Sequence, residues 1–406
     1  MKKALKILVF LLTAATAANA QVAPAATMGA ARLTYTFRYS ELAVFGGSYG
    51  DRQTITPSAT VAFASGEERH PFNLKYAGGY TWSIAGASYG TGLFQRLSLS
   101  QGFVWRKWNI LVSDNVSYTP QSPITGFSGI PGIGEPIGEP NPSPPSSQSI
   151  LTANTHVVNN NAMGEFERGL TASTSLSAGG GSDILRYPDG NGLETNSLMA
   201  NAALAWRQNA RNSFSGTYRF TQYSYSGYSV TFMSNTSLFS YRRNWNRRLT
   251  TSVGAGPEWI GSNDSSVVPS STLISANAAI DYALRFGAAG LHYSRGTNGG
   301  AGYLLGAESD SVTADFSREL GRTVTLGFTG AYRRTAGLNR NGVTNSKDAG
   351  AQATWRLGRY VTAFAGYTAI QQSSSSPLAS TALSGLENMI NFGIGYSPRG
   401  TRLVRH

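Results

Sequence analysis

The residues of this chain that best fit a catalytic pair are His292 and Ser294, which stand two positions apart. A histidine beside a serine can accept the hydroxyl proton and make the oxygen a nucleophile. Residues two apart also share one face of a β-strand, so the two polar side chains can lie side by side on that face without a catalytic role. Because geometry and not spacing defines a catalytic site, we favour the second interpretation and predict no enzyme activity.

The other candidate residues do not indicate a metal, cofactor or nucleic-acid site. The chain has no cysteine, and none of its four histidines lies in an HExxH or Cys/His pattern. The stretch GIPGIGEPIG misses the dinucleotide-binding spacing. The net charge of +12 comes from dispersed single residues and pairs, whereas nucleic-acid binding needs a concentrated basic surface. We therefore expect no cofactor, no metal and no nucleic-acid partner.

The elements that carry these residues are two-faced hairpins, of which the stretch 309–334 is the clearest. Val312, Ala314 and Phe316 alternate with polar residues, and the alternation resumes after a short turn at Gly321. Apolar residues at every second position give a strand one apolar face, and a short turn makes the two strands antiparallel. The chain is 13% charged, against about 25% in soluble domains, which is typical of a membrane barrel or a secreted β-protein.

Copies of this pattern fill the chain from 32 to 397, which predicts an all-β fold of about 18 strands, with 16 as the lower bound. Pro57 indicates a bulge or an early strand end, and the proline-rich segment 119–149 indicates a long break. The predicted strands are 32–45, 53–64, 72–83, 93–105, 108–118, 150–160, 168–178, 195–207, 212–225, 228–242, 247–259, 271–286, 288–295, 309–319, 322–335, 347–357, 359–371 and 386–397.

Connections of two lengths alternate along the chain. Transmembrane barrels have short periplasmic turns and longer outer loops. The pattern therefore predicts a transmembrane, antiparallel, up-and-down β-barrel of the outer-membrane type, whereas sandwiches and propellers would not explain it. The short connections are near 106, 161–167, 208–211, 243–246, 287, 320 and 358, and the longer ones are near 84–92, 119–149, 179–194, 260–270, 296–308, 336–346 and 372–385.

The N-terminus has the pattern of a secretory signal peptide. Three lysines precede the apolar run 7–15, and the small residues of Ala18-Asn19-Ala20 predict cleavage after Ala20. We expect export through the periplasm to the outer membrane. The predicted divisions are a signal peptide at 1–20, a lead-in at 21–31, the barrel at 32–397 and a tail at 398–406.

Tryptophans stand close to the ends of the predicted strands. An indole ring has an apolar body and a polar N–H, so it settles at the boundary between membrane and water. We therefore expect two aromatic girdles. Their members are Trp105, Trp108, Trp206, Trp245 and Trp355 beside short turns, and Trp82 and Trp259 at the opposite strand ends.

The last strand contains the segment Asn391-Phe392-Gly393-Ile394-Gly395-Tyr396. It resembles the terminal signal that hands outer-membrane barrels to their insertion machinery, although here the chain continues through SPRGTRLVRH. Stretches such as LTTSVGAGPEWIGSNDSSVVPS and RGTNGGAGYLLGAESDSVT are similar to a porin-like outer-membrane β-barrel family of Gram-negative bacteria. The likeness covers nearly all of the mature chain. It implies the fold and the location, and it assigns no functional residues.

Function is then expected in the interior of the barrel. A barrel of about 18 strands is wide enough for an aqueous channel. In a plugged barrel, the same inward residues would pair with one another across a closed interior, and this alternative stays open. The predicted pore-lining residues, which are polar and of mixed sign, are Arg38, Lys75, Arg96, Arg219, Glu258, Asp281, Arg285, His292, Asp315 and Gln352.

The segment 119–149 is the third outer loop counted from the N-terminus. In general porins the loop at this place folds inward and narrows the channel. By this resemblance we expect a constriction here, with Glu135 and Glu139 as its acidic residues. An external proline-rich loop is the alternative.

The expected function is passive diffusion of small hydrophilic solutes through an outer-membrane, porin-like channel. The expected partners are outer-membrane lipid, lipopolysaccharide and the barrel-insertion machinery. The sequence leaves open whether copies of the chain associate in a homo-oligomer. A surface-exposed structural or adhesion barrel is the alternative. The spacing of His292 and Ser294 is also similar to that of the catalytic pair of outer-membrane phospholipase A, which leaves a phospholipase as a remote alternative.

Overall fold

The computed structural model describes residues 31–46, 50–86, 91–121, 155–189, 192–300, 304–375, 384–398 and 400–403, so the predicted signal peptide lies outside the described residues. In these ranges no helix is long and apolar enough to cross a membrane. The strands are β1 (Ala31–Gly46), β2 (Arg52–Ala64), β3 (Phe72–Gly86), β4 (Gly92–Val104), β5 (Trp108–Gln121), β6 (Thr155–Gly169), β7 (Thr174–Arg186), β8 (Thr195–Arg207), β9 (Asn212–Tyr225), β10 (Thr231–Asn244), β11 (Leu249–Ser262), β12 (Ser271–Leu284), β13 (Gly287–Asn298), β14 (Ala307–Leu320), β15 (Val324–Gly337), β16 (Val343–Arg356), β17 (Val361–Ser374), β18 (Gly385–Tyr396) and β19 (Thr401–Leu403).

The strands form one closed antiparallel sheet. Each of the strands β1 to β17 pairs with the next strand in sequence, and β18 returns to pair with β1, where Phe37 lies opposite Tyr396. The predicted all-β barrel of 18 antiparallel strands is confirmed. The short β19, which lies in the predicted tail, extends the same seam and pairs Leu403 with Ala31. Closure leaves no open sheet edge, which is what a sheet in a lipid bilayer requires.

An apolar belt surrounds the barrel because the alternation stays in register from strand to strand. In β14 and β15, Val312 lies opposite Tyr332 and Phe316 lies opposite Phe328, all on the outward face. Thr313, the residue that follows Val312 on β14, faces inward. The Phe328 side chain is 48% exposed, so the described residues leave the belt largely uncovered at this position. Such a surface is the one that a transmembrane barrel turns to lipid.

Short connections lie at one end of the barrel, here called the periplasmic end, and the longer ones lie mostly at the other, the outer end. The predicted constriction loop, with Glu135 and Glu139, is largely in 122–154 and lies outside the described residues. The periplasmic connections are 65–71, 105–107, 170–173, 208–211, 245–248, 285–286, 321–323 and 357–360, and the outer ones are 47–51, 87–91, 122–154, 187–194, 226–230, 263–270, 299–306, 338–342 and 375–384.

The predicted bounds of the sixth and seventh strands were wrong. The sequence indicated a short turn at 161–167, whereas β6 continues to Gly169 and the turn is at 170–173. The polar residues Asn159, Asn160 and Asn161 lie within β6. In the barrel Asn161 faces inward, where a polar side chain does not interrupt a strand.

Prolines interrupt the strands less than predicted. Pro57 lies within β2, opposite Tyr39, so the second strand neither ends nor bulges at this residue. The register shift of β2 against β3 follows Gln53 instead. Pro120 lies within β5, so the break that was predicted from 119 begins only after Gln121. A strand that is paired on both sides loses one ladder hydrogen bond at a proline and keeps the others.

Candidate solute path

Inward-facing side chains line the interior, and the strand register decides which residues these are. Directly opposed residues share a face, and the fully buried Phe94 marks the inward face of β4. Arg285 was predicted to line the interior from a strand, and this prediction was wrong. β12 ends at Leu284, so Arg285 lies in the connection, and its guanidinium is 5.0 Å from the ring centroid of Phe286. The predicted lining residues that do face inward are Arg38, Lys75, Arg96, Arg219, Glu258, Asp281, His292, Asp315 and Gln352.

The inward face of β1 to β4 is basic. Among the described residues of these four strands, no inward position carries aspartate or glutamate, since Glu41 lies on the outward face beside Ile55 and Phe392. We call this surface the basic arc. Its members are Arg32, Arg38, Arg52, Lys75 and Arg96.

The inward face of β12 to β14 has the opposite sign, and we call it the acidic arc. Asp281 lies opposite Gly290, which in turn lies opposite Asp315, so two carboxylates flank a glycine on the middle strand. His292 Nε2 stands 3.6 Å from Asp281 Oδ1 and 3.4 Å from Asp315 Oδ1. A Cβ at Gly290 would come within 2.7 Å of that imidazole nitrogen, so a glycine leaves the space that the three side chains use. The described inward positions of these strands carry no lysine or arginine.

The acidic arc is open to solvent. The side chains of Asp281, His292 and Asp315 are 54%, 46% and 47% exposed, although all three point into the barrel. They lie in the periplasmic half, because Asp281 is only three residues from the end of β12 at a short connection. The interior is therefore accessible at this level.

Ser294 shares the inward face with His292, as the spacing predicts, and lies opposite Asn277 and Ser311. His292 Nε2 faces the carboxylates of Asp281 and Asp315. In the described part of the chain, no group of three or more histidine, aspartate or glutamate side chains could hold a metal ion. The cluster therefore places one imidazole nitrogen near two carboxylates on adjacent strands.

The outer half of the interior is packed. Tyr223, Tyr225, Phe232 and Ile260 point inward from β9, β10 and β11 and are between 0% and 9% exposed. Residues of outer connections cover them, which means that these connections fold into the barrel. The covering residues are Leu193, Val230, Val267, Val268, Leu305 and Leu338, with Leu273 of β12 beside them.

Hydrogen bonds from two tyrosines of β9 cross the interior. Tyr223 Oη donates one of 3.5 Å to the carbonyl oxygen of Thr297 on β13. Tyr225 Oη donates a hydrogen bond of 3.2 Å to the carbonyl oxygen of Gly299. Tyr225 is on β9 and Gly299 follows β13, four strands further along the sheet. A Cβ on Gly306 would come within 2.9 Å of the Phe232 ring, so the other end of the same connection also reaches the cluster. The two described ends of the connection 299–306 therefore narrow the interior.

Two ion pairs are buried in the outer half, where Glu258 is also buried and accepts a hydrogen bond of 2.5 Å from Ser234 Oγ. Arg52 Nη2 lies 3.3 Å from Glu387 Oε2, with the two side chains 2% and 3% exposed. Arg333 pairs with Asp348 in the same way. Such pairs are expected for a plugged barrel, whereas the acidic arc in the periplasmic half is exposed.

The aromatic cluster could have been found in the sequence. Along β9 the inward residues change from polar ones such as Thr217 to Tyr223 and Tyr225, while Gln222 and Ser224 face outward. The alternation therefore inverts at the outer end of the strand. An inversion of this kind indicates that a strand continues beyond the belt and that its inward side chains pack against other residues inside the barrel.

Tyrosines mark the outer edge of the belt in a repeated arrangement that the sequence reading missed. An outward tyrosine donates its hydroxyl proton to a polar side chain on the following strand, which satisfies the polar end of a ring whose body lies in the belt. The pairs are Tyr218 with Asn235, Tyr293 with Asp310, Tyr332 with Asn345, and Tyr367 with Asn388, at 2.6 to 3.1 Å.

The tryptophans lie at strand ends or in short connections, and their girdle role remains a prediction. Trp105 stacks on Trp108 across a periplasmic connection, with ring centroids 3.7 Å apart. Trp259 lies opposite Asn235 near the outer end, beside the tyrosine pairs. The exposed members are Trp82, Trp105, Trp206, Trp245, Trp259 and Trp355.

A hydrogen-bonded pair holds the outer connection 187–194 against the start of β6. The backbone amide and the ring Nδ1 of His156 both lie 2.8 Å from Asp189 Oδ2. These bonds hold the pKa of the Asp189 carboxyl below its usual range, with the backbone amide as the larger cause.

No protein-family model and no curated protein sequence matches this chain. Among solved structures, it is similar to OpdQ of Pseudomonas aeruginosa, with a TM-score of 0.44 and 11% identity over 91% of this chain and 98% of that one. It is also similar to OccAB3 of Acinetobacter baumannii (TM-score 0.47, 10% identity, 91% and 99% covered) and to OccK2 (OpdF) of Pseudomonas aeruginosa (TM-score 0.49, 11% identity, 90% and 98% covered). These are outer-membrane porins of the Occ and OprD type. With TM-scores below 0.5, the likeness carries no information on solute or mechanism.

Proposed function

We propose that this protein is an outer-membrane channel through which small hydrophilic solutes diffuse passively. The observation that carries the proposal is the charge arrangement of the inward wall. β3 of the basic arc and β12 of the acidic arc are nine strands apart in a ring of 18, so the two arcs face each other across the interior. Lys75 and Asp281 each lie three residues from a strand end on the periplasmic side. The half-exposed acidic arc supports a water-filled path at this level.

Opposed arcs of this kind create an electric field across the path. A low-dielectric wall of one sign on each side focuses the field and orients a dipole that enters it. This field stabilises small zwitterionic or strongly dipolar solutes. It does not stabilise an apolar solute, which carries no charge or dipole. Small hydrophilic molecules with separated charges are therefore the solute class that the wall favours.

The packed outer half favours a second candidate function, a structural or adhesion barrel without transport. The aromatic cluster around Phe232 and the buried pair of Arg52 and Glu387 both reduce the open cross-section. A channel needs a continuous hydrated path past these groups, whereas a scaffold does not.

Solute flux into proteoliposomes distinguishes the two functions. We expect liposomes that contain the folded protein to swell in isotonic solutions of small sugars or amino acids. The chain has no cysteine, so a single inward Ser311→Cys can be labelled with a bulky, hydrophilic thiol reagent, which should slow the swelling. Ala314→Cys, which faces outward on the same strand, is the matched control and should leave the rate unchanged. Folded barrels that give no swelling would favour the scaffold.

A further inference from the structure

Asp114 lies on the outward face of β5, inside the apolar belt. On its own strand the next outward residues are Val112 toward the periplasmic end and Val116 toward the outer end. On the neighbouring strands it lies opposite Leu99 and Ala162. A carboxylate in this position faces hydrocarbon, which offers no water to solvate it.

The carboxylate has one hydrogen bond from the described residues. Asn160 Nδ2 donates to Asp114 Oδ1 at 2.6 Å, and Asn160 is itself an outward residue of β6, opposite Val116. Two carboxylate oxygens can accept about four hydrogen bonds, and an asparagine amide has two donor hydrogens. Both side chains are only partly covered by the barrel. The pair therefore retains acceptor and donor capacity that lipid tails do not use.

The pair lies deeper in the apolar belt than the outward charges near the outer end. Glu41, for example, lies opposite Ile55 at the level of Trp82 and accepts a hydrogen bond of 2.6 Å from Gln53 Nε2. Arg295, Glu308, Asp310 and Arg334 also face outward, but they pair with one another above the tyrosines at the outer edge of the belt. On the far wall, the outward positions of β12 within the belt are apolar. They are Ile274, Ala276, Ala278 and Ile280.

Small residues continue from the pair along the same wall. Ala162 lies opposite Ser182, and Gly164 lies opposite Gly180, all on the outward faces of β6 and β7. Space outside Gly164 is open, because a Cβ built there would meet no heavy atom closer than 4.0 Å. A flat strip of this kind allows another protein wall to approach closely.

We propose that the outward face of β5 to β7 around Asp114 and Asn160 docks a second copy of this chain in a two-fold dimer. A two-fold axis along the membrane normal keeps every residue at its own depth. The side-chain atoms of Asp114 and Asn160 are within 2.6 Å of each other and thus at one depth, so each can reach its complement on the second copy. The pair is self-complementary, since it presents an acceptor beside a donor. An acyl chain offers no hydrogen bond to the carboxylate, and headgroups lie at the edge of the belt.

Disulfide cross-linking in outer membranes tests the dimer, because the chain lacks cysteine. We expect single Ala162→Cys chains to form a cross-linked dimer on mild oxidation. Ala278→Cys, an outward belt position on β12, is the matched control and should stay monomeric. Adding Asp114→Leu and Asn160→Leu to Ala162→Cys should abolish the dimer band.

The proposal is overturned if Ala162→Cys gives no dimer, or if Ala278→Cys cross-links equally well. It is also overturned if the double leucine change leaves cross-linking intact in chains whose gel mobility changes on boiling, as expected of a folded barrel. If the leucine variant does not fold, the comparison of the two cysteine positions decides alone. Light scattering of the wild-type protein in detergent should give the mass of two chains, and the mass of one chain would contradict the dimer.

Discussion

At the scale of single residues, glycines allow bulky inward rings to lie flat against the barrel wall. Phe364 lies opposite Gly393, and a Cβ on this glycine would come within 2.4 Å of the Phe364 ring and 2.3 Å of the Tyr39 carbonyl oxygen. Phe94 lies on Gly79 in the same way. A ring that lies on the backbone of the neighbouring strand occupies less of the interior than one that stands upright. Some glycines of this chain are thus required by the packing of a particular ring.

Gly393→Ala is expected to destabilise the barrel, because the added methyl group must displace either the Phe364 ring or the backbone of β1. Overpacking of this kind costs about 1–3 kcal/mol. The free energy of unfolding of the variant and of the wild-type protein is measured by urea titration in detergent. Gly216→Ala is the matched control, since a Cβ there meets nothing within 4 Å. Equal stability of the two variants would contradict the packing role.

The sequence places Gly393 in a terminal segment that resembles an insertion signal, but it does not show that a ring rests on this glycine. The pairing of Gly393 with Phe364 depends on the register of β17 against β18. Register is set jointly by turn lengths and by both faces of both strands. The structure therefore shows which residues are in contact across a strand pair, whereas their spacing in the sequence does not.

At the scale of elements, a buried ion pair ties the two sides of the closing seam together. Arg52 on β2 and Glu387 on β18 both face inward and meet across β1, the strand between them. Their side chains are only 2% and 3% exposed. Removal of one partner therefore leaves the other charge buried, with neither a counter-charge nor water to solvate it.

Glu387→Leu should lower the free energy of unfolding by about 3–5 kcal/mol, the usual cost of leaving a buried charge unpaired. Combining it with Arg52→Met should restore most of the loss, because neither charge then remains in the interior. Glu308→Gln, in the partly exposed pair with Arg295, is the control and should cost less than about 1 kcal/mol. A double variant as unstable as Glu387→Leu alone would argue against the pairing.

Strand positions followed from the alternation wherever the outward residues stayed apolar through the belt. β8 and β9 were predicted at their observed bounds, because apolar and polar residues alternate throughout the belt. β6 was misplaced because polar residues at 159–161 occupy both of its faces. The inward cluster at Tyr223 and Tyr225 was missed because the alternation inverts above the belt.

At the scale of the whole molecule, the barrel brings distant segments into two facing arcs of opposite charge. The sequence predicted the inward direction of Lys75, Arg96, Asp281 and Asp315, but it did not predict the arcs. Their opposition depends on closure, which sets β3 half a turn away from β12. Closure also brings His292 between two aspartates on adjacent strands, a neighbourhood that no spacing in the chain indicates.

The reversal potential across a planar bilayer with a KCl gradient tests most directly whether these arcs line a hydrated path. We predict stepwise conductance for the wild-type protein. In Asp281→Asn with Asp315→Asn, the reversal potential should shift toward the anion value, because the basic arc is then unopposed. Glu308→Gln on the outward face should leave the reversal potential unchanged. Folded protein without conductance, or a double variant with the wild-type reversal potential, would contradict a charged aqueous path through the barrel.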